Sequence, residues 1–191
     1  GAADAHFTQV DTRAKRTAGG GDFLAVNPMG QVPVLRTDAG ESLTENTAVL
    51  QYVAERFPDA KLVPDGAMPR ARLREWLGFI ATELHKAVFV PLLDQSAPDA
   101  VKGYAREKLA LRMAVLEKHL AGREFLLDAF SIADAYLTTI LNWTAATAVN
   151  LAEWPAVQDY HRRMLKRPSV ARAFGEELAL YQAELARAKA R

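Results

Sequence analysis

Apolar residues recur along this chain with two different periods, and the change of period divides the sequence. Up to residue 58 they form short runs separated by glycine, proline and asparagine, which predicts strands and turns. The predicted strands are residues 6–10, 32–37 and 42–44, the last two forming a hairpin across the turn at residues 38–41. Short helices are expected at residues 22–26 and 47–57, and Pro58 ends the second one.

From Pro69 onward, apolar residues recur every three to four positions, the period of an amphipathic helix. The predicted helices are residues 69–93, 99–121, 131–147, 155–166 and 169–190. The pattern therefore predicts an α/β domain at residues 1–58, a linker at residues 59–68 and an all-helical domain at residues 69–191. Three short strands would leave sheet edges uncovered, so the first domain is expected to lack a strand and a helix at its N-terminal side.

Composition narrows the possible functions. The formal net charge of +1 provides no field for a nucleic acid or a membrane surface, and no run of about 18 apolar residues predicts a membrane span. The sequence has no cysteine, which excludes disulfides and a cysteine nucleophile within these residues, and its histidines lack metal-ligand spacing. We expect a cytoplasmic protein without a metal site.

Pro33 interrupts a predicted strand, where a proline removes a hydrogen-bond donor. A cis peptide before it would turn the N–H and C=O of Val32 away from the sheet, free to pair with an extended ligand backbone. The alternative is an ordinary trans proline in an edge strand. Spacing alone favours this alternative, because only ~5% of X–Pro bonds are cis.

Glu45 and Asn46 stand where the helix over residues 47–57 begins. A helix N-terminus offers unpaired N–H groups and a positive dipole end to a ligand carboxylate, and Glu45 can pair with a ligand ammonium. The simpler interpretation is capping by Thr44 or Asn46, with Glu45 favourable near the dipole. Taken alone, capping is favoured.

Three further sequence patterns have either a purely structural interpretation or two competing interpretations. Ser131 and Asp134 have the spacing of a capping box, so the helix that follows, including Tyr136, is interpreted as core without chemistry. His85 can titrate near neutrality and activate a thiol, although a packing role is favoured on sequence alone. The basic loop that contains Lys15, with Arg13 and Arg16, can hold a carboxylate but is more often simply solvated.

In order, these segments resemble the glutathione transferase family over residues 6–174. The resemblance rests on Val10-Asp11 with Lys15, the run at residues 22–35, Leu43-Thr44-Glu45, Gln51-Tyr52-Val53-Ala54, Trp76-Leu77-Gly78-Phe79, Glu83-Leu84-His85-Lys86 and residues 131–136. The Glu-Leu-His-Lys string and the lysine before the Asp-Phe-Leu helix make the chain most similar to the bacterial beta class.

The resemblance implies a thioredoxin-like N-terminal domain, here incomplete, an all-helical C-terminal domain and a homodimer. It also implies a cis peptide before Pro33. Val32 is then expected to pair through its backbone with the cysteinyl part of glutathione, and Lys15 to meet the glycine carboxylate. Glu45 and the backbone of Asn46 are expected to hold the γ-glutamyl end.

The resemblance implies looser roles for residues of the helical domain. His85 is expected near the thiol as an auxiliary catalytic residue, and Glu83 to reach the glutathione of the partner subunit. Val88, Phe89 and Trp143 are candidates for the wall that contacts a hydrophobic co-substrate.

The chain departs from the family pattern at three places. Asn46 stands where Ser or Gly is common, and Gly78 replaces an Asn that often follows Trp-Leu. Gly1 matches the region after the first helix, so ~20 residues, about one strand and one helix, are expected to have no counterpart here. The residue that activates the thiol is expected among them.

The function expected from the resemblance is transfer of the glutathione thiolate to small hydrophobic electrophiles, with glutathione as co-substrate. The alternative is a non-catalytic protein of the same fold that binds glutathione or hydrophobic ligands. Redox or isomerase activity on glutathione adducts would share the same site.

Overall fold

The computed structural model describes residues 6–189, and side chains up to residue 183. The chain forms two compact units, Gly1–Ala60 and Lys61–Arg191. Each unit is described separately below.

The first unit opens with a small hairpin. Strand β1 (Val10–Asp11) pairs antiparallel with β2 (Arg16–Thr17), so that Val10 faces Thr17. The turn between them is closed by the Asp11 carboxylate, which accepts the amides of Arg13 and Ala14 at 3.0 and 2.9 Å. The prediction of a strand at residues 6–10 followed by a loop was therefore wrong, since part of the basic loop is itself a strand.

The predicted second hairpin is confirmed in shorter form. Strand β3 (Leu35–Arg36) pairs antiparallel with β4 (Ser42–Leu43), and Leu35 faces Leu43. The amide of Thr37 donates to the carbonyl of Glu41 at 2.9 Å across the turn. Residues 32–34 stay outside the ladder because Pro33 has no N–H to donate.

Short helical segments complete the first unit. A 3₁₀ turn (Phe23–Ala25) begins after Asp22, whose carboxylate accepts the amide of Leu24, and helix α1 (Asn46–Arg56) ends before a second 3₁₀ turn (Pro58–Ala60). Phe23 and Ala54 are its fully buried apolar side chains among the residues described. The unit is thus held mainly by turns and local hydrogen bonds.

The second unit is helical. Its helices are α2 (Ala67–Phe79), a π-helix (Ile80–Phe89), α3 (Val90–Leu93), α4 (Asp99–Leu120), α5 (Ile132–Asn142), α6 (Thr144–Thr147), α7 (Pro155–Leu165) and α8 (Pro168–Lys189), with a 3₁₀ turn at Leu151–Glu153. Every predicted helix is present, although the helix expected over residues 131–147 is divided at Trp143. Ala190, the predicted end of the last helix, lies outside the described residues.

The run from Ala67 to Leu93 is continuous, and its middle part is π-helical. By length and composition alone these 27 residues would suffice to cross a membrane, a test that core helices also pass. Leu73, Leu77, Ile80 and Leu84 along it are 0–2% exposed, within a core that also includes residues of α4, α5 and α7. These residues place one face of the run in the core of the helical unit, and 28% of its apolar 18-residue window is buried in total.

The predicted capping box at the start of α5 is confirmed. The Asp134 carboxylate accepts the Ser131 amide at 2.9 Å, the Leu126 amide at 2.9 Å and the Tyr160 hydroxyl at 2.9 Å. Asp134 itself is 0% exposed. Burial, and then the Asp134 charge, raise the pKa of Tyr160 well above its usual value, so this hydroxyl remains a donor. One buried carboxylate thus joins α5, α7 and the segment before α5.

We expect Asp134→Asn to lower the free energy of unfolding by about 3 kcal/mol, because an amide cannot accept all these donors and leaves some of them buried without a partner. Urea denaturation monitored by circular dichroism measures the change. The control is Asp128→Asn at an exposed position nearby, where a change below about 0.5 kcal/mol is expected. Equal stability of the two variants would contradict the assigned role of Asp134.

Candidate functional site

Lys15 is held in place by a glycine. Its Nζ donates to the carbonyl of Gly30 at 2.9 Å, and Lys15 itself has a φ of +55°. Gly30 has a φ of +61°, which favours glycine, and a Cβ there would meet Cδ and Cε of Lys15 at 3.0 Å, so a larger residue would displace this side chain. The ammonium has two further N–H groups, for which the described residues provide no acceptor. It is therefore a fixed cation able to bind an anion.

The other two cations of the basic loop are arranged differently. Arg16 donates through Nη1 to the carbonyl of Gly20 at 2.9 Å, and Arg13 is exposed. Neither shares the anchor of Lys15. Of the three, Lys15 has the fixed position that a carboxylate-binding site requires.

The peptide bond between Val32 and Pro33 is cis, as the resemblance implied and contrary to the spacing argument. Asn27, which is buried, fixes the preceding loop because its Nδ2 donates to the Gln31 carbonyl at 2.7 Å and its Oδ1 accepts the Met29 amide at 3.1 Å. Within residues 6–189, neither the N–H nor the C=O of Val32 has a hydrogen-bond partner, and its side chain is 50% exposed. This residue presents a donor and an acceptor of the kind that an extended peptide needs.

Helix α1 begins without a side-chain cap. Glu45 occupies the N-cap position with a φ of +67°, an unusual value for a residue other than glycine, and makes no capping hydrogen bond. Its carbonyl accepts the amides of Ala48 and Val49, whereas the amides of Asn46 and Thr47 have no partner within the described part of the chain. Capping by Thr44 or Asn46, the favoured interpretation of the sequence, is therefore wrong. The helix end is open to an anion.

His85 lies in the π-helix of the second unit, a helix type found often at functional sites. Its Nδ1 is 2.6 Å from the hydroxyl of Tyr136, and its ring meets that of Trp143 edge-on with 4.9 Å between centroids. Burial, and to a lesser degree the charge of Lys86, lower the pKa of His85. The imidazole is therefore neutral at pH 7.

Glu83 has an ion-pair partner within its own chain. Its Oε2 accepts from Arg112 of α4, at 2.8 Å from Nε and also from Nη2. The bond from Arg112 is the main cause that lowers the pKa of Glu83, which is therefore ionised near neutrality. The carboxylate is thus engaged between two helices of this unit.

The predicted hydrophobic wall is only partly accessible. Val88 and Phe89 are both 0% exposed, so the prediction that they contact a co-substrate was wrong for these two. Both point into the helical core, where the Phe89 ring meets Trp143 with centroids 6.3 Å apart. Trp143 itself is only partly buried. Gly78 is exposed, with open space where a side chain would stand.

Tyr136 is the residue of this cluster that sequence reasoning missed. It was counted only as part of an apolar helix face, yet its hydroxyl contacts His85 while its ring is 5% exposed. A buried phenol normally has a hydrogen-bond partner, and this rule would have marked it. No cluster of three or more His, Asp or Glu side chains suited to a metal ion occurs among the described residues.

The chain is similar to known proteins along most of its length. The family models "Glutathione S-transferase, N-terminal domain" and "Glutathione S-transferase, C-terminal domain" match residues 9–61 and 80–168. The chain is 39% identical over 176 residues to the glutathione S-transferase GstA of Escherichia coli O157:H7, which covers 91% of this chain and 87% of that protein.

Solved structures agree with these similarities. A bacterial beta-class glutathione S-transferase from Sphingomonas chungbukensis matches with a TM-score of 0.85 at 40% identity, over 91% of this chain and 88% of that one. A sphingomonad glutathione S-transferase complexed with glutathione matches with a TM-score of 0.84 at 42% identity, over the same shares of 91% and 88%. The predicted fold class and the resemblance to the beta class are therefore confirmed.

We expect the stability of the protein to fall as the pH drops below about 6.5, the usual pKa of histidine. The folded state lowers the pKa values of His85 and His161, so below this pH the unfolded state binds more protons. The stability decreases progressively as the pH falls from the usual histidine pKa to the lowered pKa values of the folded state. No such decrease is expected above about pH 7.5.

Replacing His85 by glutamine should flatten this pH dependence. Urea denaturation at intervals between pH 5 and pH 8 measures the free energy of unfolding for both proteins. The difference between the two curves isolates the contribution of His85, since the carboxylates are common to both. Parallel curves would contradict the lowered pKa.

Proposed function

The chain belongs to the glutathione S-transferase family, and we propose that it transfers the thiolate of glutathione to small hydrophobic electrophiles. The observation that carries the proposal is the set of open groups in the first unit, which consists of a fixed ammonium, an unpaired backbone donor and acceptor, and an uncapped helix N-terminus. Glutathione is an extended anionic peptide, and each of these groups matches one part of it.

We propose that Lys15 binds the glycine carboxylate and that Val32 pairs through its N–H and C=O with the cysteinyl backbone. Support comes from the two spare N–H groups of Lys15 and from the unpaired backbone of Val32 within the described residues. Pro33 follows Val32 and has no N–H that would compete for the ligand. Together these contacts would fix the direction of the peptide.

The γ-glutamyl end has an amino group and a carboxylate. We assign the carboxylate to the amide of Asn46 at the start of α1, which has no partner among the described residues and where the helix dipole favours an anion. We assign the ammonium to the Glu45 carboxylate. The positive φ of Glu45 is the kind of backbone strain that concentrates at ligand sites. The Asn46 side chain adds no hydroxyl, so recognition here rests on its backbone.

The reaction on an aryl halide would form a carbon–sulfur bond and release a halide ion, while the thiol proton passes to solvent. The task of the protein is to favour the thiolate and to hold it against the electrophile. We propose that His85 assists at the sulfur and that Trp143, the accessible member of the predicted wall, contacts the electrophile. This activity is consistent with a role in detoxification and a cytoplasmic location.

We also propose a homodimer. Four apolar residues of α4, spaced so that they share one helix face, are 43–64% exposed, which is unusual for a surface without a partner. They are Val101, Tyr104, Leu111 and Val115. The ion pair of Glu83 with Arg112 gives no support to the expectation that Glu83 reaches the glutathione of the partner subunit.

We expect Leu111→Glu to dissociate the dimer, because it places a charge in the apolar face of α4. Light scattering should give twice the chain mass of 21.0 kDa for the unsubstituted protein and the single mass for the variant. Ala110→Glu, also exposed but directed about 100° around the helix, is the matched control and should remain dimeric. A monomeric unsubstituted protein would contradict the proposal.

We expect Lys15→Ala to raise the KM for glutathione about tenfold with little change in kcat, because a charge-assisted hydrogen bond to the ground state is lost. Conjugation of a chlorodinitrobenzene followed by absorbance measures both constants. Arg13→Ala removes a neighbouring exposed cation and should leave KM unchanged, which controls for net charge.

Equal KM values for the two variants would remove Lys15 from the site. Binding of glutathione or a hydrophobic dye without any conjugation would instead favour the non-catalytic alternative.

A further inference from the structure

The contact between His85 and Tyr136 is short for a bond donated by a ring nitrogen. The separation of 2.6 Å lies below the usual 2.9–3.0 Å of N–H···O bonds and closer to the range of bonds donated by a hydroxyl. A phenol is also a stronger acid than a neutral imidazole N–H, and the bare imidazole nitrogen is the better acceptor. The Tyr136 hydroxyl is therefore the donor, and Nδ1 of His85 accepts.

The other ring nitrogen must then have the proton. A neutral imidazole holds one hydrogen, so a bare Nδ1 requires Nε2–H. Nε2 has no hydrogen-bond partner among the described residues, and it is not among their buried unpaired side-chain atoms. It therefore reaches solvent as an available donor.

Two aromatic contacts hold the ring in this orientation. Tyr136 is 5% exposed within α5, and its ring stands edge-on to His85 at 6.0 Å. Trp143, at the end of the same helix, meets His85 at 4.9 Å. Because the contacts come from α5 and from its C-cap residue, the His85 ring is fixed relative to a rigid element.

We propose that Tyr136 is a positioning residue that keeps the proton of His85 on Nε2, so that His85 donates a hydrogen bond to the sulfur of bound glutathione instead of accepting its proton. This inference rests on the proposed function in naming glutathione. It goes beyond that function by assigning the tautomer, the direction of the bond and the residue that sets them.

The tautomer is tested first, without any substrate. In protein labelled with ¹⁵N-histidine, two-dimensional spectra near pH 8 should give His85 a bare Nδ1 and a protonated Nε2. Tyr136→Phe keeps the buried ring but removes the hydroxyl, and should shift the Nδ1 resonance toward that of a tautomeric mixture. A protonated Nδ1 in the unsubstituted protein, or no shift in the variant, would overturn the proposal.

The direction of the bond is tested by the acidity of bound glutathione, followed by thiolate absorbance against pH. His85→Ala should raise the pKa of the bound thiol by about one unit, a tenfold loss of thiolate at a given pH. His85→Gln keeps an N–H near the position of Nε2 and should retain most of the effect. If His85 acted as a base, glutamine would fail as fully as alanine, and that result would overturn the proposal.

Tyr136→Phe is then combined with His85→Gln in one protein. Tyr136→Phe alone should raise the thiol pKa, but it should have no further effect in the His85→Gln protein, because glutamine has no tautomer to set. Additive effects would mean that Tyr136 acts independently of His85. If glutathione does not bind, as measured by calorimetry, the proposed function fails, while the spectra still decide the tautomer.

Discussion

The buried carboxylate of Asp134 is the interaction on which the arrangement of the helical unit depends. It fixes the first turn of α5 to the preceding segment through amides and to α7 through the Tyr160 hydroxyl. A buried charge is costly unless each of its oxygens is well paired, and here each oxygen has donors. Tyr136 follows Asp134 by two positions and Trp143 closes the same helix, so the structural network also determines where His85 is held.

The groups of the first unit that we propose for glutathione binding are positioned in a different way. Few of the apolar side chains of this unit are fully buried, and the proposed binding groups are mainly backbone atoms whose direction is set by local conformation. The Gly30 carbonyl fixes Lys15, and a positive φ at Glu45 opens the helix end. Recognition by backbone would tolerate changes of side chain, so the contact proposed at the start of α1 depends on the amide of Asn46 and not on its side chain.

Sequence periodicity was sufficient for the helices, since a 3.6-residue period over ten or more positions has few alternative explanations. The capping box at Ser131 was equally predictable, because it depends only on the spacing of neighbouring residues. The strands were less predictable: β1 and β2 are two residues each, and the Asp11 side chain rather than an alternating pattern closes their turn. Short elements leave too few positions for a period to be measured.

The site itself was predictable only in part. Charged side chains such as Lys15 are visible in a sequence, whereas an unpaired amide or a positive φ is a property of the backbone. The errors at Val88 and Phe89 have a related cause: an apolar residue on a core helix looks the same whether it faces a ligand or the interior. The π-helix adds to this difficulty, because its wider turn changes which side chains share a face.

Burial and the neighbouring charge both lower the pKa of His85. Burial lowers its pKa, and the neighbouring Lys86 charge lowers it further, so both favour a neutral imidazole. The carboxylate of Glu83, two residues before His85 in the chain, is engaged by Arg112. A neutral imidazole that already accepts a bond at Nδ1 has only an N–H left to offer. A positive field beside such a donor stabilises an anion at the position it faces, which is the requirement for a thiolate nucleophile.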